Sequence, residues 1–210
     1  VWDVWSLMPA LAAVTHRIEI APLVACASFR NPALIAKMAD TIDEISGGRF
    51  ILGLGAGWHE PEYDAFGFPF DHRVSRFEEA LIIIHSLLRT GHVDFEGRFS
   101  SARNCELRPR GPRPEGPPIV IGSSSPRMMN LMARYADAWN KDRLNSVEQL
   151  LHIETIVDAA CIAAGRDPQT LGRIAGIQID MLNDQRDEKI PRQWIKDPWP
   201  LTGSPEELAQ

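Results

Sequence analysis

The sequence predicts an α/β fold built on a parallel sheet, either a (β/α) barrel or a doubly wound sheet. Two observations carry this. Apolar runs of strand length, such as "PLVACAS" and "FILGLG", lack the alternation of half-exposed strands and read as strands buried on both faces. Segments with helical spacing separate these runs, so strand and helix alternate at least four times, the pattern of right-handed crossovers. The chain of 210 residues suffices for one sizeable domain. No internal repeat or low-complexity stretch divides it. Residues 1–210 therefore read as a single barrel-type domain with a hairpin and linker excursion at about 90–118.

The elements follow in order. Val4 to Val14 reads as a helix carrying Leu7, Leu11 and Val14, and Arg17 to Ser28 as a strand. In "NPALIAKMADTIDEISGG", Asn31 caps a helix, Pro32 fits its first turn and Gly47 and Gly48 end it. Arg49 to Gly57 is a second buried strand, and Trp58 to Asp71, rich in Gly, Pro and Phe, reads as a loop. A helix over Val74 to Leu88 buries Phe77, Leu81, Ile84 and Leu88. "HVDFEGRFSSARNCELRP" suggests a small hairpin turning near Glu96 and Gly97, and "RGPRPEGPP" an extended linker. "PPIVIGSSSPRMMNLMARYADAWN" supplies strand, serine turn, helix and a further short strand. Ser146 and Gln149 form a capping-box pattern for a helix to Ala164, "GRIAGIQIDML" is the last clear strand, and "SPEEL" at Ser204 to Leu208 starts another helix. About five parallel strands result, whereas a closed barrel has eight.

Composition narrows the function classes. Hydrophobic residues make up 44% and charged residues 24%, ordinary for a globular protein. A net charge of -6 argues against nucleic-acid binding. No apolar run approaches a membrane span, and the first residues lack signal-peptide features, so a cytoplasmic protein is expected. Cys26, Cys105 and Cys161 are widely spaced and read as free thiols. The six histidines form no metal pattern, so no metal is expected.

Four motifs are candidates for chemistry. "LGLGAGW" lacks the third glycine of a dinucleotide fingerprint, because Trp58 stands there; its alternating glycines suit either a close backbone approach by a flat ring or a tight turn. "GSSSP" has Pro126 where a nucleophile elbow needs glycine. It fits either a simple helix cap or a phosphate site at a helix N-terminus, with Arg127 able to add charge. Arg30, after the first strand, suits an ion pair at the rim or a substrate anion. His59 and Glu60, directly after the glycine strand, are weak candidates for proton transfer or a solvated pair. Trp58 and Trp139 each suit stacking on a ring or packing in the core.

Together, "RIEIAPLVACASFRNPALIAKMADTIDEISGGRFILGLGAGWHEPEYDAFGFPF", "RFEEALIIIHSLL", "FEGRFSSARNCELRPRGPRP", "PPIVIGSSSPRMMNLMARYADAWN" and "LTGSPEELAQ" resemble the luciferase-like monooxygenase family. The resemblance implies a TIM (β/α)8 barrel, here incomplete, with the first two strands and the last strand outside this chain. It implies coenzyme F420 or FMN as cofactor, with overall likeness leaning slightly to F420. It implies a non-prolyl cis peptide at Leu23–Val24, bulging against the cofactor ring together with Ala25. The turn Gly55, Ala56 and Gly57 would lie beside the ring, and Gly122, Ser123, Ser124 and Ser125 would bind the cofactor phosphate. Trp58 disfavours the sugar-phosphate dehydrogenase branch, which has glutamate at that place. The implied activity is hydride transfer with F420, or oxygenation of a small organic substrate with reduced FMN, fed by a flavin or F420 reductase; family members often dimerise. The alternatives are a non-catalytic barrel remnant acting as a binding or assembly protein, and a serine hydrolase, which needs Ser124 within reach of a histidine.

Overall fold

The computed structural model describes residues 2–144, 146–177, 179–181 and 201–203. Helix α1 spans Val4–Val14, capped by the Asp3 carboxylate, which accepts from the Ser6 amide at 3.0 Å. Helix α2 (Pro32–Ser46) begins at Asn31, whose side chain accepts from the amides of Ala33 and Leu34, and ends at Gly47 in the left-handed region. Between them the expected strand is shorter than the apolar run suggests. Only a bridge from Ile20 to Phe50 and strand β1 (Ala25–Cys26) form, followed by a 3-10 turn over Ala27–Phe29. Pro22 has no N–H for a ladder, so pairing is interrupted there; the peptide that follows, Leu23–Val24, is cis.

Strand β2 (Leu52–Gly55) is buried along its length. The segment expected as a loop contains helix α3 (Glu60–Phe66), with Pro61 in its first turn and Gly67 as its left-handed C-cap. Helix α4 (Arg73–Thr90) leads to the antiparallel hairpin β3 (His92–Glu96) and β4 (Ser101–Glu106). Then come β5 (Ile119–Gly122), α5 (Pro126–Tyr135), β6 (Ala138–Leu144), α6 (Val147–Ala163) and β7 (Gly172–Ile177). Strands β8 (Ile179–Met181) and β9 (Leu201–Gly203) make a separate parallel pair. The helix start at Ser204 lies outside the described residues.

The main sheet has five parallel strands in the order β1-β2-β5-β6-β7. That order decides between barrel and doubly wound sheet. It never reverses, so right-handed crossovers place α2, α4, α5 and α6 on one face. Leu52, Leu54, Ile119, Ile121 and Trp139 point to that face and are fully buried in the main core. The other face, the inner wall of a barrel arc, carries Gly53, Gly55, Val120, Gly122, Ala138 and Asn140 by the two-residue period and the register. Among the described residues the five strands do not close into a barrel.

The linker after the hairpin is pinned rather than free. Asp43 on α2 is fully buried; Arg113 donates to its two oxygens at 2.9 and 2.5 Å and also donates to the Phe50 carbonyl. Asp40, one turn earlier, accepts from the Gly111 amide at 2.7 Å. Burial raises the Asp40 pKa, against the lowering effect of that amide.

Candidate cofactor site

The inner wall is shaped by the cis segment. A Cβ on Gly53 would lie 1.9 Å from the Pro22 carbonyl oxygen and 3.3 Å from Val24 Cγ1. One on Gly55 would lie 2.8 Å from Val24 Cγ2, and one on Gly122 would lie 3.4 Å from both Val24 methyls. Val24 is thus seated over glycines of β2 and β5. The space that the sequence motif suggested for a ring at Gly53 is taken by the chain's own bulge. Leu23, by contrast, is 63% exposed. The structure therefore brings Val24, just before β1, against Gly55 and Gly122 at the carboxyl ends of β2 and β5, while Ala25 pairs with Leu54 and is buried in the core. Asn140, on β6 beside Gly122, is the one buried polar side chain on this wall among the described residues; its Nδ2 donates to the Ile174 carbonyl at 3.4 Å.

The turn after β2 is held by side chains of the segment that follows it. Gly57 has a φ of 75°, and its Cβ would meet the Tyr63 hydroxyl at 2.1 Å. Tyr63 donates to the Ala56 carbonyl at 2.7 Å, and Arg73 donates to the Gly57 carbonyl at 2.9 Å. Neither Tyr63 nor Arg73 stood out in the sequence. The signal was "EPEYDAF", a short amphipathic turn with one aromatic residue on its inner side.

The serine turn lies at the same end of the sheet, between β5 and α5. The buried Trp139 indole donates to the Ser123 carbonyl at 2.9 Å, so Trp139 is core and supports the turn. The Ser125 amide donates to Ser123 Oγ at 3.3 Å. Ser125 is the N-cap of α5, yet its hydroxyl makes no capping bond, and Ser124 and Ser125 are exposed. The helix entrance keeps unpaired N–H groups and its positive end, which suits an anion. Arg127 does not face it: its guanidinium bonds Ser75 at 2.9 Å and Glu78 at 2.5 Å on α4.

The other candidates separate. His59 and Glu60 are exposed at the start of α3, their side chains without a hydrogen bond among the described residues; the His59 ring lies 5.1 Å from that of Trp58, itself 76% exposed. Arg30 pairs with Asp3 at 2.8 Å, an ion pair on α1 rather than a free cation. Ser124 has no histidine partner, which removes the hydrolase arrangement among the described residues. His85 packs edge-on to Tyr135 at 5.2 Å, and burial, then Arg89, lowers its pKa. The three cysteines are free, and no group of metal-ligating residues forms among the described residues. No helix there is long and apolar enough to cross a membrane. A cavity of about 610 Å³ lies elsewhere, between the hairpin tip, α4 and the start of α2; none of the cofactor candidates lines it.

Comparison with known proteins identifies the family. The luciferase-like monooxygenase family matches residues 2–194. The pyrimidine monooxygenase RutA of Caulobacter vibrioides (strain NA1000 / CB15N) is 32% identical over 200 residues, covering 91% of this chain and 54% of that protein. RutA of Enterobacter cloacae is 40% identical over 139 residues, covering 63% of this chain and 37% of that protein. The chain thus spans about half the length of the first of these relatives and less of the second. Among solved structures, the coenzyme F420 dependent tetrahydromethanopterin reductase from Methanopyrus kandleri superposes with a TM-score of 0.75 at 21% identity, over 87% of this chain and 56% of that one. Monooxygenase RslO1 from Streptomyces bottropensis gives 0.75 at 24%, over 91% and 58%. At such identities these two show the fold alone: an incomplete arc of the TIM-barrel type. With the family matched over nearly its whole length, the chain belongs to the luciferase-like monooxygenases, an oxidoreductase family.

Proposed function

We propose that residues 1–210 act as one partial barrel domain that seats a flavin-type cofactor and oxygenates a small organic substrate with reduced FMN. The observation that supports this is the convergence of the Val24 bulge, the glycine turn and the serine turn at one end of the sheet. The named relatives are monooxygenases, which weighs toward FMN and against the slight lean to F420. Hydride transfer with F420 is the other branch of the same reading.

The residues present fit such a group. Leu23, Val24 and Ala25 would form the floor under the ring, with Gly55, Ala56 and Gly57 beside it. Gly122 to Ser125 would take the phosphate, because the small side chains leave the helix entrance open and the Ser125 hydroxyl is not spent on capping. When bound, the cofactor supplies the redox chemistry; the chain positions it and limits its access to water. His59 and Glu60 are the first titratable groups after β2 and would be the proton-transfer residues. A reductase supplying reduced cofactor and a homodimer complete the proposal. Pyrimidines are the first substrates to assay, on the names of the relatives.

The test is titration of the protein with FMN and with F420, followed by oxygen uptake with reduced FMN and a pyrimidine. Saturable FMN binding with substrate-dependent oxygen uptake is expected. Binding of F420 alone would move the assignment to hydride transfer. Binding of neither would sink the redox reading in favour of a non-catalytic barrel.

A further inference from the structure

We propose that Tyr63, with Arg73 beside it, is a positioning residue that clamps the Ala56–Gly57 turn in its cofactor-facing geometry; this rests on the cofactor reading of that turn. Tyr63 is 1% exposed, and its ring is wedged between Phe29 at 4.7 Å and Phe70 at 5.1 Å. Its hydroxyl therefore cannot swing away without dislodging a packed ring. Its one proton goes to the Ala56 carbonyl at 2.7 Å, which leaves the Cys26 thiol, 3.1 Å away, to donate to the phenol oxygen. One hydroxyl thus ties the end of β1 to the turn that follows β2. Gly57 is the residue that permits this, since a Cβ there would sit 2.1 Å from the hydroxyl and 2.7 Å from the thiol.

The next carbonyl is held as well. Arg73 donates to the Gly57 carbonyl at 2.9 Å while its guanidinium lies 4.1 Å from the centroid of the Phe70 ring. Two consecutive carbonyls of the turn are thus fixed by side chains from the segment that follows it. Burial, followed by the contact with Cys26, raises the Tyr63 pKa, so the phenol stays a donor across the working pH range. A turn held this way is set before any ligand arrives, and binding then orders less chain.

The variant Tyr63→Phe keeps the ring and removes the hydroxyl. In the full chain, amide hydrogen exchange at Gly57 and Trp58 is expected to quicken about tenfold, with α4 unchanged. FMN affinity is expected to weaken about tenfold, with a shifted absorption spectrum of the bound flavin, which a merely structural role would not move. Unchanged affinity and spectrum in a variant with native circular dichroism would overturn the proposal, whatever the exchange rate. Should Tyr63→Phe fail to fold, Arg73→Met frees only the Gly57 carbonyl; the same two readouts apply, and no change in either overturns the clamp. If the unmutated protein binds no cofactor, the cofactor reading falls, and exchange at Gly57 and Trp58 alone decides the clamp.

Discussion

Gly53 shows how a single hydrogen atom can be required. Its missing Cβ would stand 1.9 Å from a backbone oxygen of Pro22, and backbone on both sides is locked in the sheet. Gly53→Ala is therefore expected to cost about 3 kcal/mol and to lower the melting temperature by roughly 10 °C, measured by circular dichroism. A variant melting within 2 °C or so of the original would mean that the Pro22–Val24 bulge can retreat. The sequence showed that glycines recur along this strand but not what they accommodate. The intruding group comes from Pro22 and Val24, thirty residues earlier, and only the sheet register puts the two together. Tyr63 and Arg73 were hidden for the same reason: their partners are main-chain carbonyls, which leave no mark in composition. The cis peptide at Leu23–Val24 was legible only through family resemblance.

Among the elements, those with end signals were readable. Helix α2 announces itself with Asn31, Pro32 and Gly47, and all three sit where those signals place them. Helix α3 was hidden because seven residues give too little periodicity to outweigh the flanking Gly, Pro and Phe. Strand β1 was overestimated, since an apolar run records burial and says nothing of a proline inside it. The linker after the hairpin reads as extended, and what its sequence does not show is that Arg113 fastens it to Asp43 on α2. Removing the carboxylate leaves that part-buried guanidinium without its counter-charge, with only the Phe50 carbonyl still accepting from it. Asp43→Ala is expected to lose about 3 kcal/mol in urea unfolding, because breaking a buried pair costs more than the pair itself contributes. A loss below about 1 kcal/mol would show that water replaces the carboxylate freely.

For the whole molecule, the alternation of strands and helices was enough to foresee a parallel sheet, and the unreversed strand order turns that into a barrel arc. What alternation could not reveal is that β2 and β5 are hydrogen-bonded neighbours while everything between them, including the hairpin, stays off the sheet. The peptide link across the hairpin tip is therefore dispensable in principle. Residues 1–97 and 98–210, produced as two polypeptides, are expected to find each other and rebuild the native circular dichroism, with the β2–β5 seam and the Arg113 anchor as their meeting surface. Fragments that never co-purify would refute this. Success would give a split protein whose two halves report on each other's presence, with a ligand-sized gap completed only on reunion.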